Sequence, residues 1–232
     1  MNKIIKKTKN KVFFISPEEI NFCIFPTKYC DHTQFKLDKS HPHAGLNRGF
    51  FEEDLSGNIK INGSNWDTKP GVKFSNLLEF KALKNHYSGK ENWKKSDFAH
   101  RCINHMKKNN LMHDPRSLKK NFKNYKEFLI KRERQIDTMF DTAITKGIYP
   151  VDFNSASNKY KKLVYKQNKK LKGKKFYIDN ISVVITKNLE FYFNNHGHHR
   201  LSVAKILGLK KIPVKIVIAK SEKLLKKFIL MR

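Results

Sequence analysis

Residues 194–200, Asn-Asn-His-Gly-His-His-Arg, gather three imidazoles and a guanidinium around one glycine. Two chemistries suit that set. The ring nitrogens of His196, His198 and His199 are metal ligands by type. Alternatively, a glycine that opens a helix aims backbone N–H groups and the positive end of the helix dipole at an anion, and Arg200 adds a planar fork for its oxygens. Spacing favours the second. Adjacent helical side chains leave the axis about 100° apart, no nearby Cys or Asp completes a tetrahedral set, and no other element is expected to supply a ligand. The expectation is therefore a phosphate on the turn and no metal. Neither GxGxxG nor GxxxxGK[ST] occurs, which removes the common dinucleotide and NTPase loops.

The neighbouring residues specify how that turn is held. Phe191 and Phe193 alternate as a strand, Gly197 turns the chain, and Leu201, Ala204 and Leu207 recur at helical spacing until Gly208. Pro213 then admits a β-branched run, Val214, Ile216 and Val217. Upstream, 181–185 and 190–193 read as a hairpin leading into the glycine.

At the other end, 11–15 is β-like, and Ser16, Pro17, Glu18 and Glu19 give a cap, a first-turn proline and two acids. Those acids either complement a helix N-terminus or face a site at the end of the strand. From Cys23 to Gly71, Pro26, Pro42, Gly45, Gly49, Gly57, Gly63 and Pro70 break any helical period, with one hairpin expected near 58–61 and a tryptophan, Trp66, in the NGSNWD element. Three amphipathic helices are expected at 77–87, 93–109 and 118–147, the last with room for a break near Lys131. Residues 150–175 are lysine-rich, read as a solvated face or a basic arm, and 221–232 as a short basic amphipathic helix.

The 232 residues, 39% hydrophobic, suffice for one domain with a core. A net charge of +29 raises nucleic acid as a partner. Of the 49 basic residues only 7 are arginine, however, and they are spread along the chain rather than gathered with aromatics, so compositional bias accounts for part of the charge. Three cysteines, Cys23, Cys30 and Cys102, with no CxxC pair argue against a disulfide scaffold and for a cytoplasmic location. No apolar run approaches the ~20 residues that span a bilayer, and the basic N-terminus lacks the apolar stretch of a secretory signal.

GHHRLSVAKILGLKKIPVKIVI resembles the signature segment of the ParB/sulfiredoxin-like fold: a glycine, a variable residue, His or Arg, then Arg at a helix start, a Leu-Gly connection and an Ile-Pro-Val strand. VFFISPEEI is similar to that family's first strand and Pro-x-Glu turn, and RQIDTMFDTAITKGIYP to the helix before its central strands. NGSNWD and WKKSDFAHR resemble a poorly characterised subset with a helical insertion. The resemblance implies an α+β fold, a small mixed sheet with packed helices. It implies a single domain over 1–232, an insertion over 23–130 and a lysine-rich segment at 150–175.

Members bind nucleotides at this turn, as CTP-dependent DNA clamps, ATP-dependent sulfinic acid reductases or small-molecule kinases. Carried over by position, Gly197, His199 and Arg200 match the phosphate turn, with His198 in the variable place and His196 before the glycine. Glu19, or Glu18, matches the acid that kinase-like members use as a base. The implied ligand is a nucleoside di- or triphosphate (ATP, ADP or CTP) with Mg²⁺. The implied activity is kinase-type transfer to a small hydroxyl substrate with Glu19, Arg200 and His198 catalytic. The alternatives are DNA binding through the basic surface or a non-catalytic member. Two positions depart from the pattern: His196 stands where relatives carry Asp, and the turn lacks the cysteine that sulfiredoxins require.

Overall fold

The computed structural model describes residues 12–23, 73–112, 122–150, 181–194 and 197–216, and the backbone alone of 51–53, 59–61, 72 and 217–219. Its frame is a mixed sheet of β1 (Val12–Ile15), β8 (Ile212–Ala219), β6 (Ile181–Ile185), β7 (Phe191–Phe193) and β2 (Ile20–Cys23) in that order, extended at the edge by the two residues of β5 (Val72–Lys73). The pairs β6–β8 and β2–β7 run parallel and the others antiparallel. A separate antiparallel pair joins β3 (Phe51–Glu53) to β4 (Ile59–Ile61), where one hairpin is expected from sequence. Among the described residues four α-helices accompany the sheet: α1 (Leu78–Tyr87), α2 (Asp97–Lys108), α3 (Tyr125–Lys146) and α4 (His198–Ile206). The expected α+β class with a mixed sheet and packed helices is met. None of these helices is long and apolar enough to cross a membrane.

Every residue of β6 and β7 is buried, as central strands covered on both faces require. They join as the expected hairpin, Ile185 opposite Phe191 and Val183 opposite Phe193. Ser16 caps the short 3-10 turn Pro17–Glu19 as the sequence predicts, but the chain then continues directly into β2. That strand is absent from the sequence expectation, because its four residues show only one buried–exposed–buried cycle before the pattern breaks.

Two apolar clusters result. One joins the sheet to Leu201 and Ala204 of α4 and to Phe74 and Leu77, with Phe74 and Phe193 edge to face at 5.6 Å. The other joins Leu83, Trp93, Phe98, Cys102, Phe128, Ile136 and Phe140 to Val203 of α4. His86 ties the second cluster's rim together. Its Nδ1 accepts the Trp93 N–H at 3.2 Å, which places the ring proton on Nε2, 2.8 Å from Asp137 Oδ1 on α3.

Two helix starts differ from expectation for local reasons. The expected 93–109 helix divides into a 3-10 turn, Trp93–Lys95, and α2, because the Ser96 hydroxyl caps the Ala99 amide and stops the first turn. The third helix begins at Tyr125 rather than 118, with the Asn124 side chain accepting the Glu127 N–H at 2.8 Å and Glu127 accepting that of Lys123. It runs unbroken past Lys131 to the expected stop at Gly147. The lysine-rich 150–175 segment beyond Pro150, the 221–232 tail, Trp66 and His196 lie outside the described residues.

Candidate functional site

The glycine turn is fixed by the strand beside it. Gly197 sits in the left-handed region at φ 82°, and a Cβ built on it would meet Ile181 Cα at 2.8 Å and Cγ1 at 2.9 Å. Conformation and space therefore both exclude a side chain. Because the backbone passes that close to the first residue of β6, α4 starts flush against the sheet. Its first closed hydrogen bond, Leu201 N–H to Gly197 carbonyl at 2.9 Å, follows at once.

His198 and His199 do not diverge. Their ring centroids are 4.0 Å apart and their planes 39° from parallel. Both reach the carboxylate of Glu79, on the first turn of α1, with His198 Nε2 2.8 Å from Oε2 and His199 Nε2 2.6 Å from Oε1. The expectation that no element supplies a further ligand-type group near these histidines is thus incorrect. A 100° divergence of Cα–Cβ bonds does not keep long side chains apart when a two-oxygen acceptor stands between them. Glu79 is only 3% exposed. From α3 the guanidinium of Arg132 reaches the same Nε2 of His199 while holding Gln135 Oε1 at 3.1 Å.

The environment of His199 sets its charge. Burial holds its pKa well below the ordinary 6.5; Glu79 pulls it upward, while His198 and Arg132 push it further down. The native ring stays neutral where an unfolded one takes a proton. Stability contributed by this group is present above pH 6.5 and is lost as pH falls below that value toward the native pKa. Urea midpoints recorded between about pH 5 and 7.5 should fall toward acid, and His199→Gln should remove that part of the slope. An unchanged slope in the variant would refute the assignment.

Gly197, His198, His199 and Arg200 line one end of a cavity of about 530 Å³, and the facing wall is the second half of α3 with residues 147–150. Arg200 donates from Nη2 to the Tyr149 carbonyl, tying the start of α4 to that segment. Met139, Ala143, Ile148 and Val203 make an apolar side, and Tyr149, also in the lining, is 65% exposed.

The structure therefore brings together four of the sequence candidates, Gly197, His198, His199 and Arg200. Glu19 does not line the cavity with them. Glu19 Oε1 accepts the Ser16 N–H at 3.1 Å in a reciprocal cap, and Glu18 reaches Lys205 at 3.5 Å, seven residues and about 10 Å along α4 from His198. Glu19 is not among the residues lining the cavity, and of the two readings of these acids the helix-cap one describes its contacts.

Sequence reasoning does not find Glu79 or Arg132. Their signal is charge on a buried helical face. Glu79 shares the face of Ala82, Leu83 and His86, and Arg132 that of Phe128 and Ile136. The chain matches no protein-family model, no curated protein and no solved structure.

Proposed function

We propose that this chain binds a nucleotide, with the phosphates on the Gly197–Arg200 turn and the base in the cavity behind it, on a framework of ParB/sulfiredoxin-like type. The observation that carries the reading is the pairing of a turn only glycine can make with a cavity of about 530 Å³ that the same turn lines. That volume lies within the ~300–1,000 Å³ of small-molecule sites, and it combines an apolar wall with a few polar groups at one end, as such sites do.

Division of labour follows from the contacts. Backbone amides at the start of α4 and the guanidinium of Arg200 take the phosphate oxygens, and the exposed Tyr149 offers a ring face for the base. The imidazoles of His198 and His199 are turned toward Glu79. Glu19, the base expected for a kinase-type transfer, makes its described contact away from this turn, so the reading rests on binding and not on turnover.

Calorimetry with ATP, ADP and CTP in Mg²⁺ tests this. Saturable binding of at least one of them is expected, weakened about tenfold or more by Arg200→Ala, since a charge-assisted bond to phosphate contributes roughly 1.5–3 kcal/mol. Absence of binding at millimolar nucleotide, or affinity indifferent to Arg200→Ala, overturns it.

A further inference from the structure

The group formed by Glu79, His198 and His199 asks for something besides a phosphate. One ligand-type atom from each, a ring nitrogen from both histidines and a carboxylate oxygen, lies within 4.8 Å of the others. His198 Nε2 stands 2.8 Å from Oε2 and His199 Nε2 2.6 Å from Oε1 of that carboxylate. Bonds of about 2.0–2.2 Å from one ion to tetrahedrally placed N and O atoms put those atoms about 3.3 Å apart. For an ion to sit between them, each of these two nitrogen–oxygen separations opens by about half an ångström.

His199 Nε2 supplies an independent argument. It is approached at once by a carboxylate oxygen, which asks it to donate a proton, and by the Arg132 guanidinium, which asks it to accept one. No single protonation state of one ring nitrogen satisfies both. A lone pair on Nε2 beside a lone pair on Glu79 Oε1 is the arrangement in which both atoms face a cation.

We propose that Glu79, His198 and His199 form a binding site for a divalent first-row transition ion of the Zn²⁺ or Fe²⁺ kind. Two imidazoles and one carboxylate are a ligand set found in catalytic zinc sites and in the facial triads of non-haem iron. They suit Mg²⁺ poorly, which prefers an octahedron of oxygens. Glu79 lies beneath the site, buried on α1, while both histidines line the cavity. The ion's open coordination position accordingly faces the cavity, where it meets a bound ligand or water.

Arg132 is the competitor. A guanidinium and a metal ion do not share the same Nε2 lone pair, so metal binding requires the Arg132 side chain to withdraw. This makes a prediction that a purely structural polar network does not share. The site does not depend on the nucleotide reading, because its ligands are side chains while that reading rests on amides and Arg200.

The test is titration of chelator-treated full-length chain with Co²⁺, followed by its visible d–d absorption, and with Zn²⁺ in competition. Expected are saturation at about one ion per chain, an affinity loss of about 100-fold or more in Glu79→Gln and in His198→Asn, and unchanged or tighter binding in Arg132→Gln. Circular dichroism reports folding of each variant. Should Glu79→Gln fail to fold, His198→Asn, whose ring is partly exposed, carries the comparison. The proposal is overturned by absence of saturable binding of Co²⁺, Zn²⁺ and Mn²⁺. Binding that survives both ligand substitutions also overturns it, since the ion is then on other histidines. So does a loss in Arg132→Gln as large as in Glu79→Gln. Nucleotide calorimetry separates the two readings: nucleotide binding retained in His198→Asn with metal lost shows that they are distinct, and an unsubstituted chain that binds Co²⁺ but no nucleotide confines the failure to the phosphate reading.

Discussion

Replacing Gly197 by alanine should destabilise the chain by about 3 kcal/mol or more and abolish ligand binding at the turn. The left-handed conformation costs an L-residue roughly 1–2 kcal/mol on its own. The added methyl also has to enter space held by Ile181, whose Cα would lie 2.8 Å and whose N would lie 3.0 Å from the new carbon. Backbone cannot swing aside as a side-chain tip does, so either β6 loosens its parallel pairing of Ile181 with Val214 or α4 is pushed off the sheet. Both displace His198, His199 and Arg200 together. Against a total stability of about 5–15 kcal/mol such a loss is large.

Gly208 provides the control. It also has positive φ, at 63°, yet a Cβ there meets nothing within 4 Å. Gly208→Ala should therefore cost about 1 kcal/mol, the conformational part alone. Urea unfolding of the two variants at equal slope decides the matter: equal midpoints would show that the approach to Ile181 carries no energetic weight.

Glu79→Ala is the second large effect, with a loss of about 3–5 kcal/mol at neutral pH. The carboxylate is buried and compensates Arg132 through His199, so its removal leaves a guanidinium and two imidazoles facing a void. The cost belongs to the uncompensated partners more than to the pair itself. A double substitution, Glu79→Leu with Arg132→Met, should thus recover much of the stability while leaving no metal affinity. Denaturant midpoints for the single and double variants measure this, and a double variant no more stable than Glu79→Ala would contradict the account.

What is legible in the sequence is local. The 181–193 hairpin, the turn at Gly197, the stop of α4 before Gly208 and the strand from Ile212 each follow from residues within a few positions of one another. The cap at Ser16 and the stop at Gly147 belong with them. The site is half legible for the same reason: its part on α4 is contiguous, whereas Glu79 lies more than a hundred residues earlier and Arg132 on a third helix. Period alone marks the buried face on which each charge sits, but not what that face will meet. Likewise, the divergence of neighbouring helical side chains is a sound rule about directions at Cβ, and it fails as a rule about ring nitrogens because Glu79 draws both rings to one point.

Helix α4 has Leu201 and Ala204 in one apolar cluster and Val203 in the other. It is a party wall. The stretch from Phe74 to Met106, which reads in the sequence as an ornament inserted into a smaller domain, supplies the carboxylate at one end of that wall and much of the packing along one side. Excising it to recover a minimal fold would strip Val203 of its cover and leave the histidines without their acid. In this chain, ornament and site are one inheritance.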